Sequence, residues 1–255
     1  MRVTFLGSGT SHGVPMIGCD CRVCRSTDPR DTRLRPSVLL AFDDGVQVLV
    51  DTTPDLRTQA LAHRVTRVDA VVYTHSHADH IFGFDEIRRF NVLAGRPMPL
   101  YGDARTLSDL RRAFSYAFLQ QPENGGGIPQ IEPAEIAGPF DVAGHRFVPV
   151  PILHGDRPIF GYRVGAFAYV TDCSQVPDGS FPLLAGLDVL VLGALRHRPH
   201  PTHFTVAQAI DVASRIGARR TLLTHMCHDL GHEETSRALP PGVELAHDGL
   251  VVEVL

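Results

Sequence analysis

Between Thr74 and His80 the chain reads Thr-His-Ser-His-Ala-Asp-His, directly after the apolar stretch Val68–Tyr73. Three imidazoles and a carboxylate so close together are costly to bury unless each finds a partner. Their spacing does not lay them along one helix face, so the segment is expected to be a loop leaving a buried strand. Together they make sense as ligands for two metal ions. Imidazole suits zinc, iron or manganese, and the carboxylate beside it widens the choice to harder ions.

A second constellation is Cys19-Asp20-Cys21-Arg22-Val23-Cys24. Three thiolates at this spacing can wrap one zinc ion, and a fourth ligand must come from elsewhere. His228 is the best candidate, three residues beyond His225 in Thr224-His225-Met226-Cys227-His228. If that stretch leaves a strand, the two histidines can face different metals. Cys173 and Cys227 are expected to be buried rather than to ligate.

The His-x-His-x-Asp-His signature resembles that of the metallo-β-lactamase superfamily. The resemblance implies an α/β fold, a four-layer αβ/βα sandwich of two mixed β-sheets with a metal site at one rim. It also implies an isolated His after a strand, a bridging Asp at another strand end, and a late His. His154 after Arg146–Ile152, Asp172 after Phe167–Thr171 and His225 after Thr221–Thr224 fill those places. Carried over residue by residue, His75, His77 and His154 would hold a first ion. Asp79, His80 and His225 would hold a second, and Asp172 would bridge the two. Such a pair lowers the pKa of a shared water, supplies hydroxide near neutral pH and clamps phosphoryl oxygens, so the implied reaction class is hydrolysis.

The Cys-x-Cys-x-x-Cys and His-x-x-His elements are similar to one branch of that superfamily, the branch of the phosphoribosyl cyclic phosphodiesterase of phosphonate degradation. There the corresponding residues hold a structural zinc, which implies Cys19, Cys21, Cys24 and His228 as its ligands here. A closed zinc cage adds directly to folding free energy. Manganese, zinc or iron would occupy the two active-site positions.

The segment Arg196–Thr205 lies between the apolar strand Val189–Leu195 and a helix expected over Thr205–Ile216, with Thr205 as its N-cap. His203 then precedes a helix N-terminus, where anions are favoured. In the phosphodiesterase branch and in ribonuclease Z a histidine here contacts phosphate and protonates the leaving oxygen. The resemblance therefore makes His203 the candidate general acid, with Asp79 beside it in the catalytic set. His203-Phe204-Thr205 also resembles the His-x-Thr of ribonuclease Z, which leaves the substrate open. His197 and His200, with Arg196 and Arg198, form a basic loop that can receive a phosphate or be merely solvated. His12 lies in a Gly-rich loop without the Lys of a nucleotide-binding P-loop. His63, His145, His232 and His247 are expected at the surface.

Apolar strands recur from Val3 to Val251–Val254, which predicts one domain over 1–255, with the Cys-rich insertion near 19–24. Further helices are expected over 55–63, from near Asp85, and over Ala104–Phe118. Gln120–Pro129 reads as a lid or a linker. A net charge of −4 argues against a whole-surface nucleic-acid binder. With no signal-peptide pattern and no apolar run long enough to span a membrane, a cytoplasmic protein with reduced thiols is expected.

The leading expectation is a dinuclear phosphodiesterase acting on a small cyclic phosphate or a nucleotide-like diester. A tRNA-processing nuclease like ribonuclease Z would need a long basic exosite arm, and no Lys/Arg-rich insertion supplies one. Lactonases, lactamases and thioesterases share the metal ligands but require neither the structural zinc nor His203. A non-catalytic relative in cofactor synthesis would be signalled by a missing ligand. Homodimers are common in the family; neither a membrane nor a nucleic-acid partner is expected.

Overall fold

Strand residues along the chain alternate in direction, and in the central strands both faces find apolar cover, while the edge strands leave one face to solvent. The computed structural model describes residues 1–119 and 127–255, so most of the Gln120–Pro129 segment lies outside the described residues. One sheet contains β1 (Arg2–Gly7), β2 (Ser37–Ala41), β3 (Gln47–Val50), β4 (Ala70–Val72), β5 (Met98–Gly102), β6 (Ile131–Glu135) and β14 (Val251–Glu253). The other contains β7 (Phe140–Val142), β8 (His145–His154), β9 (Arg157–Val164), β10 (Phe167–Val170), β11 (Val189–Gly193), β12 (Arg220–Thr224) and β13 (Val243–Leu245). Their orders are β14-β1-β2-β3-β4-β5-β6 and β13-β12-β11-β10-β9-β8-β7.

Each sheet is half antiparallel and half parallel. The parallel halves are β3 through β6 and β10 through β13. Parallel strands must be buried on both faces, which explains their nearly continuous apolar runs. Val48 and Val50 face the inter-sheet core while Leu49 faces outward into a second cluster. On the opposite sheet Val189 and Val191 point inward, and Leu190 and Leu192 point to a third. The outer clusters are closed by helices: α1 (Leu56–Ala62), α3 (Ile87–Ala94) and α4 (Ala104–Ala113) on one side, α5 (Val206–Ile216) on the other. Three apolar layers between four structural layers make the expected sandwich.

Local chemistry sets several boundaries. Thr205 caps α5 through a reciprocal capping box with Gln208, and Gly217 ends the helix in the left-handed region. The helix expected over Ala104–Phe118 is shorter, because Phe114 leaves helical geometry (φ −123°, ψ 44°) and Ser115–Phe118 continues as a 3-10 turn. The ligand-rich run is not wholly a loop. Ala78–Ile81 winds into a single α-helical turn, α2, opened by His77. α6 (His232–Ala238) begins after the late histidines.

Gly83 lets the chain after α2 press against the loop that follows β3. A Cβ there would stand 1.9 Å from the Thr53 carbonyl oxygen, a backbone atom that cannot step aside. Gly83→Ala is therefore expected to lower stability by about 1–3 kcal/mol, the cost of overpacking a closed contact, read from the midpoint of a denaturant titration.

Candidate metal centre

The C-terminal ends of β3, β4, β8, β10 and β12 converge on one rim, the place where ligands bind in parallel sheets. The backbone there is bent to purpose. Asp51, Asp172 and His225 follow β3, β10 and β12 and adopt φ values of 65°, 54° and 61°. Among the described residues five non-glycine positions have positive φ, and three of them stand here. Such conformations are uncommon outside glycine, though Asp and His tolerate them best, and they cluster where function requires them.

The side chains gather into overlapping donor sets. His75, His77 and His154 bring their donor atoms within 4.8 Å of one another; so do Asp79, His80, Asp172 and His225, and likewise His154, Asp172 and His203. Asp172 belongs to the last two sets. Its Oδ1 lies 3.0 Å from His225 Nε2 and its Oδ2 3.2 Å from His80 Nε2. His203 Nδ1 stands 3.9 Å from Asp172 Oδ1. All seven ligand residues expected from the sequence, and His203, are thus brought together.

These donors fit a cation. His75 Nε2, His80 Nε2 and both ring nitrogens of His225 are buried without a hydrogen-bond partner, and an orphaned polar atom at this depth is costly. Partners behind the cage orient the rings. His80 donates from Nδ1 to Asp51 at 2.7 Å, and Asp51 also accepts from the Thr74 amide and hydroxyl. His154 Nδ1 donates to the Thr202 carbonyl at 2.8 Å, turning Nε2 to the cage. This is how ligand imidazoles are held in one tautomer. Burial opposes ionisation of Asp172, but His225 and His80 outweigh it and hold its carboxyl well below the ordinary range. Burial likewise disfavours charge on His225, yet Asp172 raises it to about 9. A divalent cation entering this cage would displace those protons.

The second cluster lies beyond the loop after β1. His228 Nδ1 stands 3.2, 3.3 and 3.6 Å from the sulfurs of Cys19, Cys21 and Cys24. The Cys24 amide donates to the Cys21 sulfur and, against the cost of desolvation, helps bring that thiol down to about 6. The Met16 amide donates to the Cys24 sulfur. Three sulfurs and a ring nitrogen around one centre are the donor chemistry of a closed zinc site.

Other expectations resolve individually. His200 lies against His203, with ring centroids 5.1 Å apart. His12 lines a cavity of about 240 Å³ with Arg196, Arg198, His200 and His203, whereas His197 is exposed and outside it. Cys173 and Cys227 are buried. His232 is not a surface residue: the first residue of α6, it is 5% exposed and packed beside His247, with Nδ1 unpartnered. Two residues that orient the donor rings escaped the sequence reading. Asp51 had a usable signal, a carboxylate at a strand end like Asp172; Thr202, which acts through its carbonyl, had none.

Residues 47–226 match the family described as "Beta-lactamase superfamily domain". An octanoyltransferase of Porphyromonas gingivalis is 38% identical over 98% of this chain; the chain spans about half (51%) of that protein's length. Ribonuclease Z of Methanopyrus kandleri is 28% identical, with 89% of this chain and 94% of that one aligned. Among solved structures, "Crystal Structure of a New Diphosphatase from the PhnP Family" is 48% identical with a TM-score of 0.93, covering 100% of this chain and 98% of that one.

His232 gives the centre's supporting layer a pH signature. Burial first, then the charges of Arg30 and Arg33, push its imidazole down to about 4. The unfolded chain takes up a proton near pH 6.5 that the folded form refuses, so stability falls as pH drops from 6.5 toward 4. The wild type should lose about 1–2 kcal/mol more than His232→Gln across that window in denaturant titrations.

Proposed function

The chain belongs to the beta-lactamase superfamily and to its PhnP branch, and from that premise we propose that this metallo-β-lactamase-fold hydrolase cleaves phosphodiesters. In this proposal His75, His77 and His154 hold one divalent ion, Asp79, His80 and His225 a second, and Asp172 spans both; Cys19, Cys21, Cys24 and His228 hold a structural zinc. Bound ions would supply a water of lowered pKa and neutralise charge on the phosphoryl oxygens.

The observation that carries the reading is the position of His203. It joins the donor set of His154 and Asp172 while standing two residues before Thr205, the N-cap of α5, outside the seven ligands. Burial first, then His225, brings its imidazole down to about 3, so it is neutral at pH 7 in the free protein. An anionic group placed beside it favours the protonated ring, the form an acid toward the leaving oxygen must take. A lactone or thioester brings no such charge. The ribonuclease Z likeness supports the same bond class. The octanoyltransferase name belongs to a protein twice as long, so acyl transfer has no support from this chain's own residues.

Manganese-loaded protein should hydrolyse bis(p-nitrophenyl) phosphate. On a diester whose leaving oxygen is an alkoxide, such as adenylyl-(3′→5′)-adenosine, His203→Ala should lower kcat by about 10²–10⁴-fold, the usual worth of a positioned acid, while the p-nitrophenyl ester, whose leaving group departs without a proton, is affected far less. Asp79→Ala should abolish turnover of both with the circular dichroism spectrum retained. Equal rates in wild type and His203→Ala on the alkyl diester would remove the acid assignment.

Cys21→Ser tests the second cluster. It should cost about one zinc per chain by elemental analysis and lower Tm, since loss of one ligand opens a closed cage. Unchanged zinc content would mean that the cysteines have another role.

A further inference from the structure

The donor set His75, His77 and His154 is assembled from two sheets: the first two residues follow β4, and the third ends β8. No strand ladder joins those sheets, so the spacing of the three rings depends on bonds that cross between them. Strand β9, the partner of β8, supplies three in succession. Tyr162 Oη donates to the Tyr73 carbonyl at 2.7 Å, the Phe160 amide to the Thr74 carbonyl at 3.4 Å, and Arg157 Nη2 to the Ser76 hydroxyl at 2.8 Å. The first two end on backbone oxygens, which any residue there would provide. The third needs two particular side chains, and it lies nearest the ligands. Arg157 is the ladder partner of His154, and Ser76 stands between His75 and His77.

The bonds continue past Ser76 into the helical layer. Its hydroxyl accepts from Arg157 and donates to Asp109 Oδ2 on α4, while Asp109 Oδ1 accepts from Arg112 at 2.7 Å. A hydroxyl between a guanidinium and a carboxylate is charge-assisted at both ends, so its direction is fixed. The Arg157 and Asp109 side chains are 15% and 22% exposed, and Arg157 Nε is buried without a partner. Holding these charges away from water costs free energy, and the serine between them is where they act.

His77 is the ligand that most needs such support. His75 Nδ1 donates to the Thr74 hydroxyl, whose own proton goes to Asp51, and His154 Nδ1 donates to the Thr202 carbonyl. Among the described residues the His77 ring makes no hydrogen bond. It touches the rings of His75 and His154, with centroids 4.6 and 5.0 Å away. A ligand imidazole is ordinarily held by a partner behind it. Here the backbone takes that part, pinned on one side by α2, which His77 opens, and on the other by Ser76.

We propose that Asp109 and Arg157 are positioning residues for the first of the two ions. Acting through Ser76, they set His77 against His154 across the gap between the sheets, and so tune the affinity for that ion apart from the second. The other donor set has support of its own, with His80 held by Asp51. The assignment rests on the two-ion reading of the rim.

Cobalt-loaded protein dialysed against buffers of falling free cobalt gives a Kd for each ion. Cobalt at the cysteine cluster is told apart by its thiolate charge-transfer absorption, and His154→Ala identifies the step that belongs to the first ion. Asp109→Asn, Arg157→Met and Ser76→Ala roughly keep the shape of the wild-type side chains. Each should raise the Kd of that step about 10–100-fold, the usual cost of losing a partner behind a metal ligand, and the other step by less than about threefold. Ser76→Thr keeps the hydroxyl and should stay within about threefold of wild type at both steps. Asp109→Asn combined with Ser76→Ala should cost no more than the larger single change, because both cut one route. An unchanged first step, equal losses at both steps or additive losses in the double variant overturns the positioning role and leaves the two-ion reading standing. Wild type that holds fewer than two cobalt ions outside the cysteine cluster overturns that reading, and the positioning role falls with it.

Discussion

The central strands of the two sheets, buried on both faces, leave polar side chains few places to stand, and the donor-rich rim follows from that constraint. Val48, Val50, Val189 and Val191 fill the space between the sheets, while Leu49, Leu190 and Leu192 fill the outer layers. Each such side chain gains about 1.5–3 kcal/mol on burial. A carboxylate or imidazole within these strands would forfeit that gain and carry an unpaid desolvation cost. At the strand ends the same groups meet one another, and left-handed turns at Asp51, Asp172 and His225 aim them inward. Strain of about 1–3 kcal/mol at such a residue is tolerated because the packed strands behind it permit no relaxation.

This explains what the sequence could disclose. Ligands such as His75, His77 and Asp79 sit within a few residues of one another beside an apolar run, so local order reveals them. The long apolar runs likewise disclosed buried strands, because the parallel halves of both sheets need apolar cover on each side. Asp51 offers the strand-end signal of Asp172, but its neighbours mask it. In Asp51-Thr52-Thr53-Pro54-Asp55 it looks like a solvated turn, yet it is fully buried and holds His80. The burial of His232 was hidden too, because what covers it comes from distant segments: its amide bonds Asp31, and its ring meets His247. Sequence patterns report neighbours along the chain; these contacts are made across it.

The two donor clusters are not independent features of the fold. The chain that leaves β12 places His225 in the first and, three residues later, His228 in the second. Its course is fixed from outside by Arg33, whose side chain is wholly buried. The guanidinium donates to the carbonyls of Cys227 and Leu230 and pairs with Asp31, which in turn accepts from the His232 amide. Met226 is bonded on both sides to the loop after β1, through Ser8 and Thr10. A buried cation is tolerated only when its donors are satisfied, so these bonds make the turn a stiff one. Only two residues, Met226 and Cys227, both held by these bonds, separate His228 from His225. The cysteine cluster therefore shares a wall with the rim where Asp172 gathers the histidine and carboxylate donors.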